Sequence, residues 1–157
     1  MKNRRQGGFL IAKIHQLAGR IFSRKLKKYE IADINPAQGR ILFVLWENDG
    51  ISIQELAVKT SLGKSTLTSM LDRLEETGHL TRVPSSDDRR KILIKLTEKD
   101  RALRNQYARV SEDMTELFYS GFSAAEIDMF EGYLQRILGN LQGFETKEQA
   151  CRLDSDK

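Results

Sequence analysis

Residues 52–97 combine two short helical patterns with two strand patterns, and few folds accommodate that order. Ser52, followed three residues later by Glu55, predicts a capping box and a helix that begins just after the serine. The small-residue stretch 61–63 predicts a steep turn, after which a second helix is expected over residues 64–77. Two helices joined by such a turn are typical of a helix-turn-helix unit.

The second predicted helix has two unlike faces. Its apolar residues recur at three- and four-residue spacing and therefore share one face: Leu67, Met70, Leu71 and Leu74. The opposite face holds Ser65, Thr66, Thr68, Ser69, Asp72 and Arg73. A merely solvated, hydroxyl-rich face is the alternative, but serine and threonine lower helix propensity. Short hydroxyl side chains also let a helix approach DNA closely, which favours a DNA-binding helix.

A β-hairpin is predicted directly after this helix. Gly78 fits a left-handed helix end, and residues 79–83 and 91–96 have strand patterns joined by residues 84–90. The joining segment contains Arg89 and Arg90 beside Asp87 and Asp88. An arginine at the tip of a projecting hairpin can enter a narrow minor groove, where the negative potential is strongest. Taken alone, a charged tip is also typical of a solvated turn.

In this order, these elements resemble the MarR family of winged helix-turn-helix transcription regulators. The resemblance depends on three motifs: the ELAVKTSLGKSTLTSMLDRLEETGHLTR run at 55–82, the D-R-R wing at 88–90 and the I-x-L-T at 94–97. It implies a mainly α (α+β) fold, a winged helix-turn-helix with a small β-hairpin wing and N- and C-terminal dimerisation helices. It also implies a homodimer that binds double-stranded DNA at a pseudo-palindromic operator.

The resemblance further implies individual DNA-binding residues. The matching positions on the second helix are Lys64, Ser65, Thr66, Thr68, Ser69 and Arg73. In the wing, Arg90 is the best match to the tip arginine and Asp88 to the acidic partner that orients it, with Arg89 as the alternative to Arg90. Where the family often has a glycine, this chain has Asp100, which we expect to complete a capping box with Thr97.

Flanking apolar helices suggest three regions. We expect a winged helix-turn-helix domain at 31–97, a helical dimerisation region at 9–30 plus 98–142, and a polar tail at 143–157 without regular structure. Asn35 before Pro36, and Ser123 before Glu126, predict two of the helix starts. A second copy of the chain is the expected cover for the apolar stripes of the flanking helices, and an intrachain bundle is the alternative.

Charge and composition limit the function. The net charge of +4 is uneven, because the first 28 residues include nine basic residues and no acidic one. This asymmetry suggests a polyanionic partner, although a solvated basic helix face is the alternative. No long apolar run or secretory signal is present, so we expect a cytoplasmic protein without a membrane contact. Catalytic and metal-binding motifs are absent, and we expect no enzyme activity and no cofactor. The single cysteine, Cys151, does not match a redox-sensing position.

The resemblance also implies control by a small aromatic or phenolic ligand. Such ligands sit in a cleft between the dimerising helices and the winged unit. The residues of this chain that could line it are His15, Phe22, Tyr29, Phe43 and Trp46, and each could instead belong to the core. We therefore expect a repressor that its ligand releases from DNA. The alternative is a winged-helix module for DNA binding or protein interaction without a small-molecule effector.

Overall fold

The computed structural model describes residues 5–31 and 33–155, and the predicted mainly helical fold is confirmed. In chain order these residues form α1 (Gly7–Lys28), α2 (Pro36–Glu47), β1 (Ile51–Ser52), α3 (Ile53–Thr60), α4 (Lys64–Glu76), β2 (Leu80–Pro84), β3 (Ile92–Leu96), α5 (Glu98–Phe118) and α6 (Ala124–Ser155). Helices α3 and α4 with strands β2 and β3 are the predicted winged helix-turn-helix.

Side-chain caps begin the helices where the sequence predicts them. The Asn35 side chain accepts a hydrogen bond from Gln38 N at 2.8 Å, and Gln38 Oε1 accepts one from Asn35 N at 3.0 Å. Before α3, Ser52 Oγ accepts from Glu55 N at 3.2 Å, which is the serine half of the predicted capping box. Ser123 and Glu126 form the predicted reciprocal pair before α6. These bonds satisfy amide groups that have no partner within the first helical turn.

The three strands form an antiparallel sheet in the order β1-β3-β2. Strands β2 and β3 pair from Leu80 opposite Leu96 to Pro84 opposite Ile92, which confirms the predicted hairpin. Strand β1 is only two residues long and pairs with the centre of β3 around Ile94. A strand this short shows no alternation, so the sequence patterns do not predict it.

The chain forms two compact units, Met1–Met114 and Thr115–Lys157. In the first, the apolar face of α4 packs into a core shared with α2, α3 and the sheet. The core residues with no exposed surface include Ile41, Leu42, Leu45, Leu56, Leu67, Leu71, Leu74, Leu80 and Ile94. Burying one leucine contributes about 1.5–3 kcal/mol, so these contacts fix which face of α4 points outward. Helix α1 and most of α5 belong to this unit, and their role in dimerisation stays a prediction.

The second unit contains the end of α5 and α6, joined by a turn at Gly121, which has a φ of +84°. Aromatic rings hold the two helices together: Tyr119 lies edge-on to Phe122 and Phe130, with centroids 6.2 and 6.4 Å apart. The Tyr119 hydroxyl donates a 2.6 Å hydrogen bond to Glu131, which raises the pKa of the phenol. The unit is therefore a helical hairpin with an aromatic contact near its turn.

The prediction that the tail at 143–157 has no regular structure is wrong for residues 143–155, and residues 156 and 157 lie outside the described residues. Helix α6 continues without interruption to Ser155. The segment after Phe144 lacks an apolar stripe but is rich in Glu, Lys, Gln, Ala and Arg, which have high helix propensity, and it contains no Gly or Pro. Cys151 lies exposed in this part of α6. Although α6 spans 32 residues, no helix in the described part of the chain is both long and apolar enough to cross a membrane.

Candidate nucleic-acid interface and ligand cleft

The outward face of α4 presents the predicted polar side chains. Lys64, Ser65, Thr66, Thr68 and Ser69 are all exposed and lie within the first two turns of the helix. The N-cap is Gly63, whose lack of a side chain leaves the first amide groups of α4 without a side-chain cap. A helix start of this kind can bind a phosphate through its backbone amides and its positive dipole end.

The hydroxyl groups on this face are not equivalent. Thr68 Oγ1 donates a 2.8 Å hydrogen bond to the carbonyl of Lys64, one turn earlier. Its hydrogen is therefore used within the helix, and the methyl group and oxygen lone pairs are what Thr68 offers to a partner. Thr66 and Ser69, in contrast, are the better candidates for donating a hydrogen bond to a base edge or a phosphate.

Arg82 of β2 pairs with two of the three acidic residues of α4. Its guanidinium contacts Asp72 Oδ1 at 2.7 Å and Glu75 Oε1 at 2.9 Å, while Arg82 N donates to Glu75 Oε2 at 3.0 Å. These three bonds attach the first strand of the wing to α4. Sequence patterns did not indicate Arg82, although its place directly after the helix in an antiparallel hairpin is a usable signal.

Arg73 is the last of the predicted DNA-binding residues along α4. It is exposed in the last turn of the helix, about 13 Å along the axis from Lys64 at 1.5 Å per residue. There it lines a cleft of about 580 Å³, whose other lining residues include Ser23 and Lys27 of α1, Asp33 and Gln38. Arg73 thus lies one turn beyond Ser69 on the same side of α4, and it shares the cleft with Lys27 of α1.

The wing tip is a tight turn that projects Arg90. Asp88 Oδ1 accepts a hydrogen bond from Arg90 N at 3.0 Å and lies 3.6 Å from Arg90 Nε. Ser85 N donates to the carbonyl of Lys91 at 2.9 Å, which closes the turn. The Arg90 side chain is 94% exposed, and Arg89 beside it is exposed as well. Asp88 thus shapes the turn and holds the base of the Arg90 side chain.

A separate cleft of about 290 Å³ opens between α1, α2 and α5. Three of the five predicted ligand residues line it: His15, Phe22 and Phe43. Tyr29 and Trp46 do not line it, and this part of the prediction needs correction. The Tyr29 hydroxyl instead donates to Asp113 Oδ2 at 3.3 Å, and Trp46 turns into the core.

Sequence reasoning missed the polar side of this cleft. Arg40 and Tyr107 line it, together with Gly39, Ser111 and Met114. Arg40 lies one turn before Phe43 on α2, so the shared face of the two was a usable signal. Burial raises the pKa of Tyr107 above its usual range although Arg40 acts to lower it, so the phenol is neutral at pH 7. A cleft with aromatic walls and one arginine suits a flat anionic molecule.

Comparisons with known proteins agree with this geometry. A sequence model described as the MarR family matches residues 34–92. The crystal structure of a mutant of MarR from E. coli complexed with operator DNA superposes on this chain with a TM-score of 0.74. The two chains are 30% identical in sequence, and the match covers 83% of this chain and 92% of that chain. The chain belongs to the MarR family.

Two curated relatives give the same assignment. The transcriptional regulator TtmR of Methylorubrum extorquens is 36% identical over 88 residues, which is 56% of this chain and 44% of TtmR. The transcriptional repressor IacR of Pseudomonas putida is 25% identical over 134 residues, 85% of this chain and 78% of IacR. This chain thus spans less than half the length of TtmR. The predicted membership of the MarR family is confirmed, and both relatives are named as regulators of transcription.

Asp100, where this chain departs from the MarR pattern, is buried in a hydrogen-bond network. Asp100 N donates to Thr97 Oγ1 at 3.3 Å, but its carboxylate does not return a bond to Thr97, so the predicted capping box is half formed. The carboxylate instead accepts from Trp46 Nε1 at 2.6 Å and contacts His79 Nδ1 at 3.0 Å. Thr97 N donates to the carbonyl of His79, which removes the donor that a capping box requires.

Proposed function

We propose that this MarR-family protein is a sequence-specific DNA-binding repressor whose hold on its operator is weakened by a small aromatic acid. The observation that carries the proposal is the pairing of an exposed hydroxyl face on α4 with a wing that projects Arg90 almost fully into solvent. A helix with short polar side chains fits the major groove, while an exposed arginine on a narrow hairpin fits the minor groove.

Each polar residue of the interface has a proposed role. The amides at the start of α4, with Lys64, bind phosphate and set the register of the helix on DNA. Thr66 and Ser69 donate hydrogen bonds to base edges, and the methyl group of Thr68 contacts a thymine methyl. Arg90 inserts into the minor groove, and Asp88 orients it. Arg73, at the far end of α4, binds the backbone rather than a base.

The active form is proposed to be a homodimer. Helix α1 leaves Phe9, Leu10, Ile14 and Leu17 exposed, and such apolar stripes are typical of a covered face. In α6, apolar residues follow a three-four spacing through Ile127, Phe130, Leu134, Ile137, Leu141 and Phe144, and the last three are exposed. This heptad pattern fits a seam between helices. Two copies related by a two-fold axis would place two α4 helices about one DNA turn apart.

The effector site is proposed to be the cleft between α1, α2 and α5. Arg40 supplies the positive charge for a carboxylate, and Phe22, Phe43 and Tyr107 supply apolar walls for a ring. A ligand releases DNA only if it binds better to a conformation in which the two α4 helices are wrongly spaced or oriented. Repression then follows from occupancy of the operator, and relief follows from ligand binding.

Selection of binding sequences from random double-stranded DNA tests the proposal directly. We expect enrichment of a pseudo-palindrome whose affinity falls steeply with salt, with a slope of about −5 in log–log form for roughly six phosphate contacts. Repeating the selection with benzoate and related aromatic acids should then lower the affinity. Absence of binding at low salt would leave only the protein-interaction alternative, and binding that no aromatic acid alters would leave a regulator without this class of effector.

A further inference from the structure

One side of the ligand cleft is formed by Tyr107, which packs tightly against Gly39. Tyr107 of α5 lies across α2 at Gly39, and a Cβ atom added at Gly39 would overlap the Tyr107 hydroxyl group. Both residues line the cleft. Because Tyr107 is almost fully buried and fits only against a glycine, anything that presses on this wall must move the tyrosine ring.

Behind this wall lies the only tryptophan of the chain. The ring of Trp46 stands edge-on to Tyr107, with 4.6 Å between ring centroids. On its other side, Trp46 Nε1 donates the 2.6 Å hydrogen bond to Asp100 Oδ2. Tyr107 thus packs against the side chain that donates to one oxygen of a buried carboxylate.

The second oxygen of that carboxylate holds His79, which stands between α4 and the wing. His79 Nδ1 lies 3.0 Å from Asp100 Oδ1, and both side chains have no exposed surface. The backbone of His79 connects its neighbours as well: its amide donates to Leu74 of α4 at 2.8 Å, and its carbonyl accepts from Thr97 before α5. Strand β2 begins at the next residue. The position of His79 thus sets how the wing leaves α4.

The network is not fully satisfied in this arrangement. His79 Nε2 is buried and has no hydrogen-bond partner among the described residues 5–31 and 33–155. A buried polar atom without a partner costs free energy, so fewer hydrogen bonds hold the His79 ring in place than its polar atoms could form.

We propose that Trp46, Asp100 and His79 form the positioning network that transmits occupancy of the cleft to α4 and the wing. The proposal rests on the function proposed above and names its regulatory element. Tyr107 passes a displacement to Trp46, the shared carboxylate of Asp100 passes it to His79, and His79 turns the wing relative to α4. The network exists because Asp100 stands where the MarR pattern often has a glycine, so this coupling belongs to this chain.

A substitution in the cleft tests the coupling without knowledge of the natural ligand. Gly39→Ala displaces Tyr107 from inside the protein, and we expect a shifted Trp46 emission spectrum and an affinity for the selected DNA that is about fivefold or more weaker. If Gly39→Ala does not fold, Tyr107→Leu opens the same wall and replaces it. An unchanged Trp46 emission in a folded cleft variant would overturn the inference, whether or not the protein binds DNA.

The decisive measurement is a double-mutant cycle for DNA affinity. In an Asp100→Leu background, Gly39→Ala should change the affinity for DNA by less than about twofold, because the network is interrupted. His79→Phe is the background to use if Asp100→Leu does not fold. Asp100→Asn keeps an oxygen acceptor and should restore the coupling. Val110→Ala, a buried change in the same helix, is the matched control and should leave the coupling intact.

The outcomes separate the two proposals. Additive effects of the Gly39 and Asp100 substitutions in a protein that binds DNA would overturn the network and leave the repressor proposal standing. If the parent protein selects no DNA sequence, the repressor proposal is wrong, and the network then has no regulatory role in DNA binding. Three results together would support the network. The coupling is lost in Asp100→Leu, it is restored in Asp100→Asn, and it is unchanged in Val110→Ala.

Discussion

Arg90 and Asp88 show how one carboxylate prepares an arginine for DNA. Asp88 bonds the backbone amide of Arg90 and lies near its Nε, while the rest of the guanidinium remains in solvent. The side chain therefore keeps its charge and most of its donors for a partner, and less conformational freedom is lost on binding. We attribute the affinity of the wing to Arg90 rather than to Arg89, for which no such backbone contact is present among the described residues.

Replacing Arg90 should therefore weaken DNA binding. We expect Arg90→Ala to reduce the free energy of binding by about 1–3 kcal/mol, with loss of preference for a narrow minor groove. Fluorescence anisotropy with the selected DNA measures this change. Arg104→Ala removes another exposed positive charge, from α5, and serves as the control for net charge. Equal affinities of Arg90→Ala and the parent protein would refute the wing assignment.

The hydroxyl face of α4 makes a prediction about specificity. Thr66→Ala and Ser69→Ala should each relax the preference for one base, at a cost of about 1–3 kcal/mol for the best sequence. Thr68→Val should change binding little, because the hydroxyl hydrogen of Thr68 already bonds Lys64 and the variant keeps a methyl group. Selection from random DNA with each variant reads out the preference. A larger loss for Thr68→Val than for Thr66→Ala would contradict this ranking.

Single residues differ in how far the sequence predicts their roles. The exposed position of Ser69 follows from helical periodicity, because its neighbours three and four residues away are the polar residues Ser65, Thr66, Asp72 and Arg73, which share its face. The pairing of His79 with Asp100 does not follow, because 21 residues separate them and each has a local explanation as a turn or capping residue. Long-range polar contacts depend on packing, and no pattern within one element indicates them.

At the scale of elements, Arg82 connects α4 with the wing. Exposed ion pairs add little to stability, and the acidic partners Asp72 and Glu75 are 57% and 41% exposed. The value of the contact is therefore geometric and electrostatic. It connects the wing to α4, and it offsets part of the negative charge on a helix that must approach phosphates.

Arg82→Ala should lower DNA affinity more than it lowers stability. We expect the free energy of unfolding to fall by less than about 1 kcal/mol, while binding weakens further because Asp72 then repels the DNA backbone. Asp72→Asn in the same background should restore part of the affinity. Arg101→Ala is the matched control, since Arg101 also bridges two carboxylates, Asp49 and Glu98. Equal losses of affinity in the two arginine variants would contradict the role of Arg82.

The elements themselves follow largely from local signals, with two exceptions. Caps at Asn35, Ser52 and Ser123 mark helix starts because each polar side chain satisfies a specific amide. Strand β1 is too short to leave a pattern, and its two residues become a strand only because β3 lies beside them. The predicted end of α6 is wrong because the apolar periodicity stops after Phe144, whereas residues of high helix propensity continue the helix to Ser155.

At the scale of the molecule, exposed apolar faces occur on helices at both ends of the chain. The stripe of α1 and the second half of the heptad seam of α6 remain open to solvent. Exposed apolar surface of this extent marks a protein interface, and two α4 helices at a fixed separation are what a pseudo-palindrome requires. Dimerisation and DNA recognition are therefore expected to be lost together when these faces are disrupted.

Leu17→Glu and Leu141→Glu should each convert the dimer to monomer at micromolar concentration, because a charge in an apolar seam is costly to bury. Sedimentation velocity measures the change, and the same samples should bind the selected DNA with strongly reduced affinity. Val58→Glu is the matched control, since Val58 is 76% exposed on α3 and outside both faces. A parent protein that sediments as a monomer at these concentrations would contradict the dimer. A Leu141→Glu monomer with parental affinity would show that one copy recognises the operator alone.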